Sequence, residues 1–160
     1  DDGTEGQYLK TDGSGSLSWA KTKSGWHNSS TNIKVLFHQF IMNDDYNRAP
    51  VMVEDDTAGK IGIKLPASAS EAFAPVAIPL GYKATHVQIY ASASTSSAVE
   101  ALDFDHTNGD ISSLGTGAFN SSIDITDLTS GATTNLVIKI IPASNTTIIY
   151  GGNVTIEKTS

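Results

Sequence analysis

The chain has 160 residues, a net charge of −7 and no cysteine. This length can bury the core of one ordinary domain. The negative charge argues against a nucleic-acid partner, because a phosphate-binding surface needs a basic patch. The lack of cysteine excludes a disulfide scaffold, a zinc–thiolate site and a cysteine nucleophile. No run approaches the roughly 20 apolar residues of a membrane span, so no membrane insertion is predicted.

The first part of the chain predicts a β-hairpin arm. Residues 6–20 read GQYLKTDGSGSLSWA, two alternating runs joined by a turn of Asp12, Gly13, Ser14 and Gly15. A hairpin with so few apolar side chains is not stable alone. We therefore expect residues 1–32 to form a hairpin arm and linker, and residues 33–160 to form a separate domain. Because the chain begins with Asp1 rather than Met, we expect it to be the C-terminal part of a longer protein.

The domain is predicted to be all-β. Short strand-like runs are separated by turn signals, at 33–42, 50–55, 60–65, 71–78, 84–91, 98–104, 122–126, 134–141 and 147–157. Nine short runs at this spacing indicate an antiparallel β-sandwich or a barrel. Residues 109–121 carry little pattern and are predicted to be the longest loop, residues 68–73 allow one helical turn, and Gly151 with Gly152 predicts a bulge.

Alternation predicts which strand faces are buried. We expect inward side chains in three of the runs, namely Ile61, Ile63, Leu65, Val87, Ile89, Ile123 and Ile125. Two runs, 34–42 and 136–141, are apolar on both faces. They are either central strands or strands covered on the outer face by another subunit, and the second option favours an oligomer.

Motifs for catalysis and metal binding are not found in the sequence. The four histidines, His27, His38, His86 and His106, lack the spacing that places two imidazoles on one metal. A calcium-loop reading of residues 103–110 fails because Asn108 stands where the loop needs glycine. The serines lack a G-x-S-x-G elbow, and the acidic clusters at turn ends read as solvated charges rather than a glycosidase pair. We therefore predict no catalytic residue, no metal, no cofactor and no enzymatic activity.

A candidate recognition site lies in the loop after the first domain run. Asp44, Tyr46, Asn47 and Arg48 combine an aromatic ring, an amide, a carboxylate and a guanidinium. Sugar recognition uses this mixture, with the ring stacking on the sugar and the polar groups binding its hydroxyls. The alternative is a structural loop in which Tyr46 packs on the core.

The N-terminal segment also resembles a segment of virus tail fibres and related virion appendages. That segment has the pattern G-x-x-G-Q-x-L-x-T/S-D-G-x-G-x-x-x-W-A ahead of a C-terminal domain, and the matching residues here are Gly3, Gly6, Gln7, Leu9, Thr11, Asp12, Gly13, Gly15, Trp19 and Ala20. Residues 78–90, 123–126 and 150–152 are similar to C-terminal domains of marine phage structural proteins. The resemblance implies a homotrimeric virion appendage whose distal module is a β-sandwich, jelly-roll-like in form. It carries no catalytic motif.

These observations lead to one leading hypothesis and two alternatives. The leading hypothesis is a non-enzymatic phage fibre or appendage domain, located on the virion, that trimerises and binds a host-surface glycan or protein. Tyr8, Leu9, Leu17 and Trp19 would then pack between subunits near a threefold axis. The first alternative is a purely structural virion protein, such as a capsid-decorating or fibre-joining domain, that contacts other virion proteins. The second is a glycan-cleaving enzyme.

Overall fold

The computed structural model describes residues 3–4, 7–21, 31–44, 49–55 and 59–159. The chain divides into two compact units, residues 1–30 and residues 31–160. Within the described residues, the regular structure is β-strand apart from one 3₁₀ turn. No helix among them is long and apolar enough to cross a membrane.

The first unit contains the predicted hairpin. Strand β1 (Gln7–Thr11) pairs antiparallel with β2 (Leu17–Lys21). In the turn, Gly13 and Gly15 have φ of +82° and +97°, a conformation that glycine adopts without the steric cost of a Cβ. The Asp12 carboxylate accepts hydrogen bonds from the backbone N–H of Ser14 at 2.8 Å and of Ser16 at 3.1 Å. The residues from which the turn is predicted therefore also provide its hydrogen bonds and its positive φ angles.

The second unit contains eleven strands among its described residues: β3 (Asn32–Leu36), β4 (Ile41–Met42), β5 (Val51–Asp55), β6 (Lys60–Lys64), β7 (Ala72–Val76), β8 (Tyr82–Ala91), β9 (Val99–Asp105), β10 (Ile111–Gly117), β11 (Ile123–Thr129), β12 (Thr134–Ile140) and β13 (Ile149–Lys158). Five of them form sheet I in the order β10-β9-β12-β7-β4. Sheet II has the order β11-β8-β13-β6-β5, and β3 also pairs with β13.

The strand order is that of a jelly roll. Four strands in the order β3-β13-β8-β11 belong to sheet II, and four in the order β7-β12-β9-β10 belong to sheet I. From β7 onward the chain alternates between the sheets, apart from the β9–β10 hairpin, as it does in the double Greek key of this fold. Every pairing among the described strands of this unit is antiparallel. The predicted all-β antiparallel sandwich of jelly-roll type is therefore confirmed.

The core lies between the two sheets. Its fully buried side chains include Ile89, Leu136, Ile138, Ile149 and Val154. The inward faces predicted from alternation are confirmed for six of the seven residues, namely Ile63, Leu65, Val87, Ile89, Ile123 and Ile125. The prediction is wrong for Ile61, which is 48% exposed. The reason is that β13 pairs with β6 at Ile63, whereas from Gly151 onward β13 pairs with β3, so Ile61 lies on the β5–β6 hairpin outside the pairing with β13.

Three other predictions of secondary structure are wrong. The run 33–42 is interrupted by a 3₁₀ turn at Phe37–Gln39, where the Gln39 side chain accepts a hydrogen bond from the Leu36 N–H at 2.6 Å. There the chain leaves sheet II and enters sheet I as β4. Residues 109–121 contain strand β10 instead of a long loop. Residues 68–73 contain no helical turn, and β7 begins at Ala72.

Glycines shape two parts of the domain. A Cβ on Gly117 would lie 2.6 Å from the side chain of Ile123, and a Cβ on Gly115 would lie 3.1 Å from the carbonyl oxygen of Asp124. These glycines let β10, at the edge of sheet I, approach β11, at the edge of sheet II. The predicted bulge at Gly151 is confirmed by the shift of register between Ile149 and Gly151.

Candidate functional site

The recognition loop predicted from the sequence is only partly described. Asp44 is exposed in the turn that follows β4. Tyr46, Asn47 and Arg48 lie outside the described residues. Sugar binding by this loop therefore stays a prediction.

The four hairpin residues predicted to contact other subunits divide between two faces. Leu9 lies opposite Trp19, and Leu17 is opposite Thr11, so these three apolar side chains share one face. Tyr8 lies opposite Ala20 on the other face. All four side chains are exposed. Gly3 lies against the Trp19 ring, because a Cβ there would come within 2.6 Å of it.

A second candidate site lies on the outer face of sheet II. We define the sheet II patch as Tyr90 and Gln88 of β8, Asn153 of β13, and Lys34 and Leu36 of β3. Gln88, Asn153 and Lys34 are directly opposite one another across the three strands, and Tyr90, Gly151 and Leu36 form the next outward row. Alternation places Ile33, Val35, Val87 and Ile89 in the core, so the side chains of the patch point away from it.

Hydrogen bonds connect the polar members of the patch. The Tyr90 hydroxyl donates to Gln88 Oε1 at 3.0 Å, and Asn153 Nδ2 donates to the Tyr90 hydroxyl over a longer distance of 3.5 Å. Because Gln88 is two residues before Tyr90 on the same strand, the bond makes the ring lean along β8. Tyr90 remains 41% exposed. The patch therefore presents an oriented aromatic ring beside two amides.

The glycines of β13 leave the strand beside Tyr90 without side chains. Gly151 has a φ of +114°, and a Cβ there would lie 2.5 Å from the Val35 carbonyl oxygen. A Cβ on Gly152 would meet the Gln88 carbonyl oxygen. Gly151 lies between Tyr90 and Leu36 in the outward row and is itself buried, whereas Gly152 lies in the row of Ile89 and Val35 on the core side. No side chain of β13 therefore separates Tyr90 from Leu36 in the outward row.

Asn120 supports the patch from the segment before β11. Its side chain accepts a hydrogen bond from the Ala91 N–H at 3.0 Å and donates one to the Ala91 carbonyl at 3.1 Å. Its own carbonyl accepts a hydrogen bond from Gln88 Nε2 at 3.3 Å. Gln88 is therefore held at both ends of its amide, by Asn120 and by Tyr90.

The charged groups on this outer face are arranged unevenly. Asp124 lies 3.7 Å from His86, and Lys83 binds Asp127 at 2.6 Å and Glu157 at 3.8 Å. These groups lie toward the start of β8 and on β11. Lys34 lies at the other side of the patch, on β3, and has no ion-pair partner among the described residues.

Hydrogen bonds favour the ionised form of two described carboxyl groups, Glu100 and Asp105. The Lys139 ammonium, by donating a hydrogen bond, lowers the pKa of Glu100, and the Thr107 hydroxyl and N–H lower the pKa of Asp105. A glycosidase acid requires the opposite shift. No group of three or more histidine or acidic residues that could hold a metal ion occurs in the described part of the chain.

Sequence patterns identified part of this site and missed the rest. The alternation in residues 84–91 shows that Gln88 and Tyr90 share the outer face of β8. Asn153 and Lys34 join them through strand pairing between distant segments, and no local pattern encodes that register. The pair of glycines in β13 was the one sequence signal close to the site.

Comparisons with known proteins add little. No protein-family model matches the chain, and no curated relative matches it. Among solved structures, the chain is similar to the CBM36-1 domain of a multidomain xylanase from the hindgut metagenome of Trinervitermes trinervoides. The TM-score is 0.46 and the identity 9%, over 81% of this chain and 98% of that domain. A similarity at this level carries no argument about function, and the fold rests on the strand order itself.

Proposed function

We propose that the protein is a non-enzymatic glycan-binding domain and that the sheet II patch is its binding site. The observation that carries this proposal is the exposed Tyr90 ring, held by Gln88 and Asn153 on a flat sheet face. An aromatic face packs against the apolar side of a sugar ring, while amides donate to and accept from its hydroxyls. A shallow face also suits a polysaccharide, which passes over the surface and enters no pocket.

We further propose that this domain is the distal module of a trimeric phage fibre or virion appendage that attaches to a host surface. The resemblance of residues 3–20 to fibre segments supports this. The hairpin face formed by Leu9, Leu17 and Trp19 supports assembly, since three exposed apolar side chains on one face favour burial against other subunits. Three shallow sites on one trimer would bind a surface tightly through their effective concentration.

The experiment that tests glycan binding is a glycan array probed with the wild-type protein and with Tyr90→Ala. Loss of the ring should weaken binding about tenfold or more, because its apolar contact with the sugar is removed. Tyr90→Phe keeps the ring and removes the hydroxyl, so we expect a smaller loss. Leu80→Ala is the matched control, because Leu80 is 92% exposed and far along β8 from the patch.

The variants must remain folded for this comparison to be valid. Since Tyr90 is exposed, its replacement should change the melting temperature by no more than about 2 °C. Equal binding by the wild type and Tyr90→Ala would show that the site lies elsewhere on the molecule. A wild-type protein that binds no glycan would overturn the proposal.

A purely structural virion protein is the second candidate, and one observation favours it. The outer face of sheet I carries apolar side chains beside the Glu71, Lys139 and Glu100 ion pairs. These apolar side chains are Ile41, Phe73, Pro75, Leu102, Phe104, Ile111 and Val137, of which Leu102 is buried. Ile41 is 67% exposed and Ile111 is 63% exposed. A sheet face of this kind is typical of a protein–protein contact. Binding of the protein to isolated virion proteins, together with no binding on the glycan array, would favour this candidate.

A further inference from the structure

Lys34 is an unpaired cation within the sheet II patch. Strand β3 alternates between buried and outward residues, and Lys34 is exposed on the outward side. It is directly opposite Asn153, which in turn is opposite Gln88. Residues opposite one another in a sheet have Cβ atoms about 5 Å apart. A sugar that stacks on Tyr90 and binds the two amides would therefore extend within reach of the Lys34 ammonium.

The charge around Lys34 differs from that of the whole chain, which has a net charge of −7. Of the described acidic groups on sheet II, Asp124 and Asp127 belong to β11 and Glu157 to the end of β13, where they lie near His86 or Lys83. Glu54 and Asp55 belong to β5, opposite Ile61 and Lys60 of β6. Lys34 is therefore the one charged side chain among the five residues of the patch.

An ammonium at this position distinguishes anionic from neutral sugars. Lysine has three donors and no acceptor, so a neutral hydroxyl can accept a hydrogen bond from it but leaves its charge without a counter-charge. A neutral glycan lying over the patch would remove water from the charge and only partly replace it. A carboxylate or sulfate accepts the same hydrogen bond and also forms an ion pair with the ammonium.

We propose that the glycan bound by the sheet II patch is anionic, and that Lys34 contacts a carboxylate or sulfate on a sugar next to the one stacked on Tyr90. This inference rests on the proposed glycan binding. The ammonium of lysine is a point charge without the planar fork of arginine. The contact therefore selects a negatively charged sugar, but it does not select a carboxylate over a sulfate by shape.

The test uses pairs of polysaccharides that share a backbone and differ in charge. One pair on the array is polygalacturonate and its neutral methyl ester, and a second pair is dextran sulfate and neutral dextran. Further glycans are added as pairs of one anionic and one neutral member. The 160-residue chain is tested as wild type, Lys34→Gln, Lys34→Arg and Tyr90→Ala. Lys158→Gln is the charge-matched control, because Lys158 is exposed near the far end of β13, where it pairs with Tyr82.

We expect the wild type to favour the anionic member of at least one pair by about five- to tenfold. Lys34→Gln should remove that preference, whereas Lys34→Arg and Lys158→Gln should keep it. Raising the salt from about 0.05 to 0.5 M should weaken binding of the anionic member more than that of the neutral one, because salt screens the charge contact.

The possible outcomes separate this inference from the proposed function. Equal binding of charged and neutral members, or a preference that survives in Lys34→Gln, overturns the anionic specificity while the Tyr90 site stands. A preference that is unchanged in Tyr90→Ala overturns the site and this inference with it. Absence of wild-type binding to every glycan overturns both. The two pairs distinguish a carboxylate from a sulfate.

Discussion

Asn120 shows how a single side chain sets the geometry of the binding face. Its φ is +65°, a left-handed conformation that asparagine tolerates better than most residues. From there its side chain makes both hydrogen bonds to the backbone of Ala91, and its carbonyl accepts from Gln88. It acts as a short extension of the sheet at the end of β8, so that Gln88 and Tyr90 are held in place without a longer strand.

The first residue-scale prediction concerns Asn120→Ala. The substitution removes two side-chain hydrogen bonds. It also leaves alanine in the left-handed region, where it lacks the polar side chain with which asparagine tolerates this conformation. We therefore expect a loss of about 2–3 kcal/mol in the free energy of unfolding. Urea denaturation measures it. Asn120→Gly is the control that removes the hydrogen bonds but accepts the backbone conformation, and it should lose about 1–2 kcal/mol. A loss below about 0.5 kcal/mol in both variants would show that Asn120 contributes little.

At the scale of the strands, an ion-pair network joins the elements of sheet I across its outer face. The Lys139 ammonium on β12 binds Glu100 on β9 at 2.5 Å and lies 3.8 Å from Glu71, just before β7. Asn43 Nδ2 donates to Glu71 at 3.2 Å and connects the segment after β4. The side chains of Lys139 and Glu100 are only 19% and 22% exposed. The network is therefore screened less than a surface ion pair.

The pH dependence of this network is the second prediction. The Lys139 hydrogen bond lowers the pKa of Glu100 in the folded protein, so the folded state holds this carboxylate ionised more strongly than the unfolded state does. The resulting stability is fully present above the ordinary pKa of glutamate, about 4.3, and is lost as the pH falls through the lowered folded pKa. Glu100→Gln should therefore destabilise the protein by about 1–2 kcal/mol at neutral pH.

Urea denaturation of the wild type and Glu100→Gln, at neutral pH and in strong acid, measures this difference. The two proteins should converge in acid, because the wild-type carboxyl is then protonated too. Asp110→Asn is a control for loss of one exposed acidic charge. A difference between Glu100→Gln and the wild type that is equal at both pH values would indicate that packing, rather than charge, is lost.

At this same scale, local patterns predicted the buried faces of β8 and β11, because alternation alone identifies Val87, Ile89, Ile123 and Ile125. They missed β10, because its serines and glycines pack against a neighbouring strand instead of forming an apolar face. They also missed the 3₁₀ turn after β3, which depends on one Gln39 side chain. The sheet II patch could not be predicted, since it requires the pairing of β3, β13 and β8.

The whole molecule combines two surfaces with different expected partners. The outer face of sheet II carries the polar patch with Lys34, whereas the outer face of sheet I combines exposed apolar side chains with the Lys139 ion pairs. The hairpin unit adds a third surface, with Leu9, Leu17 and Trp19 on one side and Tyr8 on the other. The proposed role as an appendage domain would use this division, with one surface free for the host and the others in contact with the subunits of the appendage.

The third prediction concerns assembly. Trp19→Ala should shift the 160-residue chain from the proposed trimer toward a monomer, because it removes the largest side chain of the apolar hairpin face. It should leave the thermal unfolding of the domain that begins at residue 31 within about 2 °C. Size-exclusion chromatography with light scattering measures the mass. Tyr8→Ala, on the opposite face, should weaken the trimer less.

A wild-type protein that is monomeric at micromolar concentration would contradict the trimer. Equal loss of assembly and of domain stability in Trp19→Ala would place the hairpin in the core of the domain instead. Equal weakening by Trp19→Ala and Tyr8→Ala would show that both faces of the hairpin are buried between subunits.

The close approach of β10 and β11 has a consequence for crowding. Free strand edges are templates on which other chains can add strands, and proteins that are concentrated side by side are exposed to this hazard. At Gly115 and Gly117 the edges of the two sheets meet each other, so each one shields its neighbour from an incoming chain. On that side, two positions without side chains let one edge cover the other, so an incoming strand finds fewer free backbone groups there and edge-to-edge polymerisation is disfavoured.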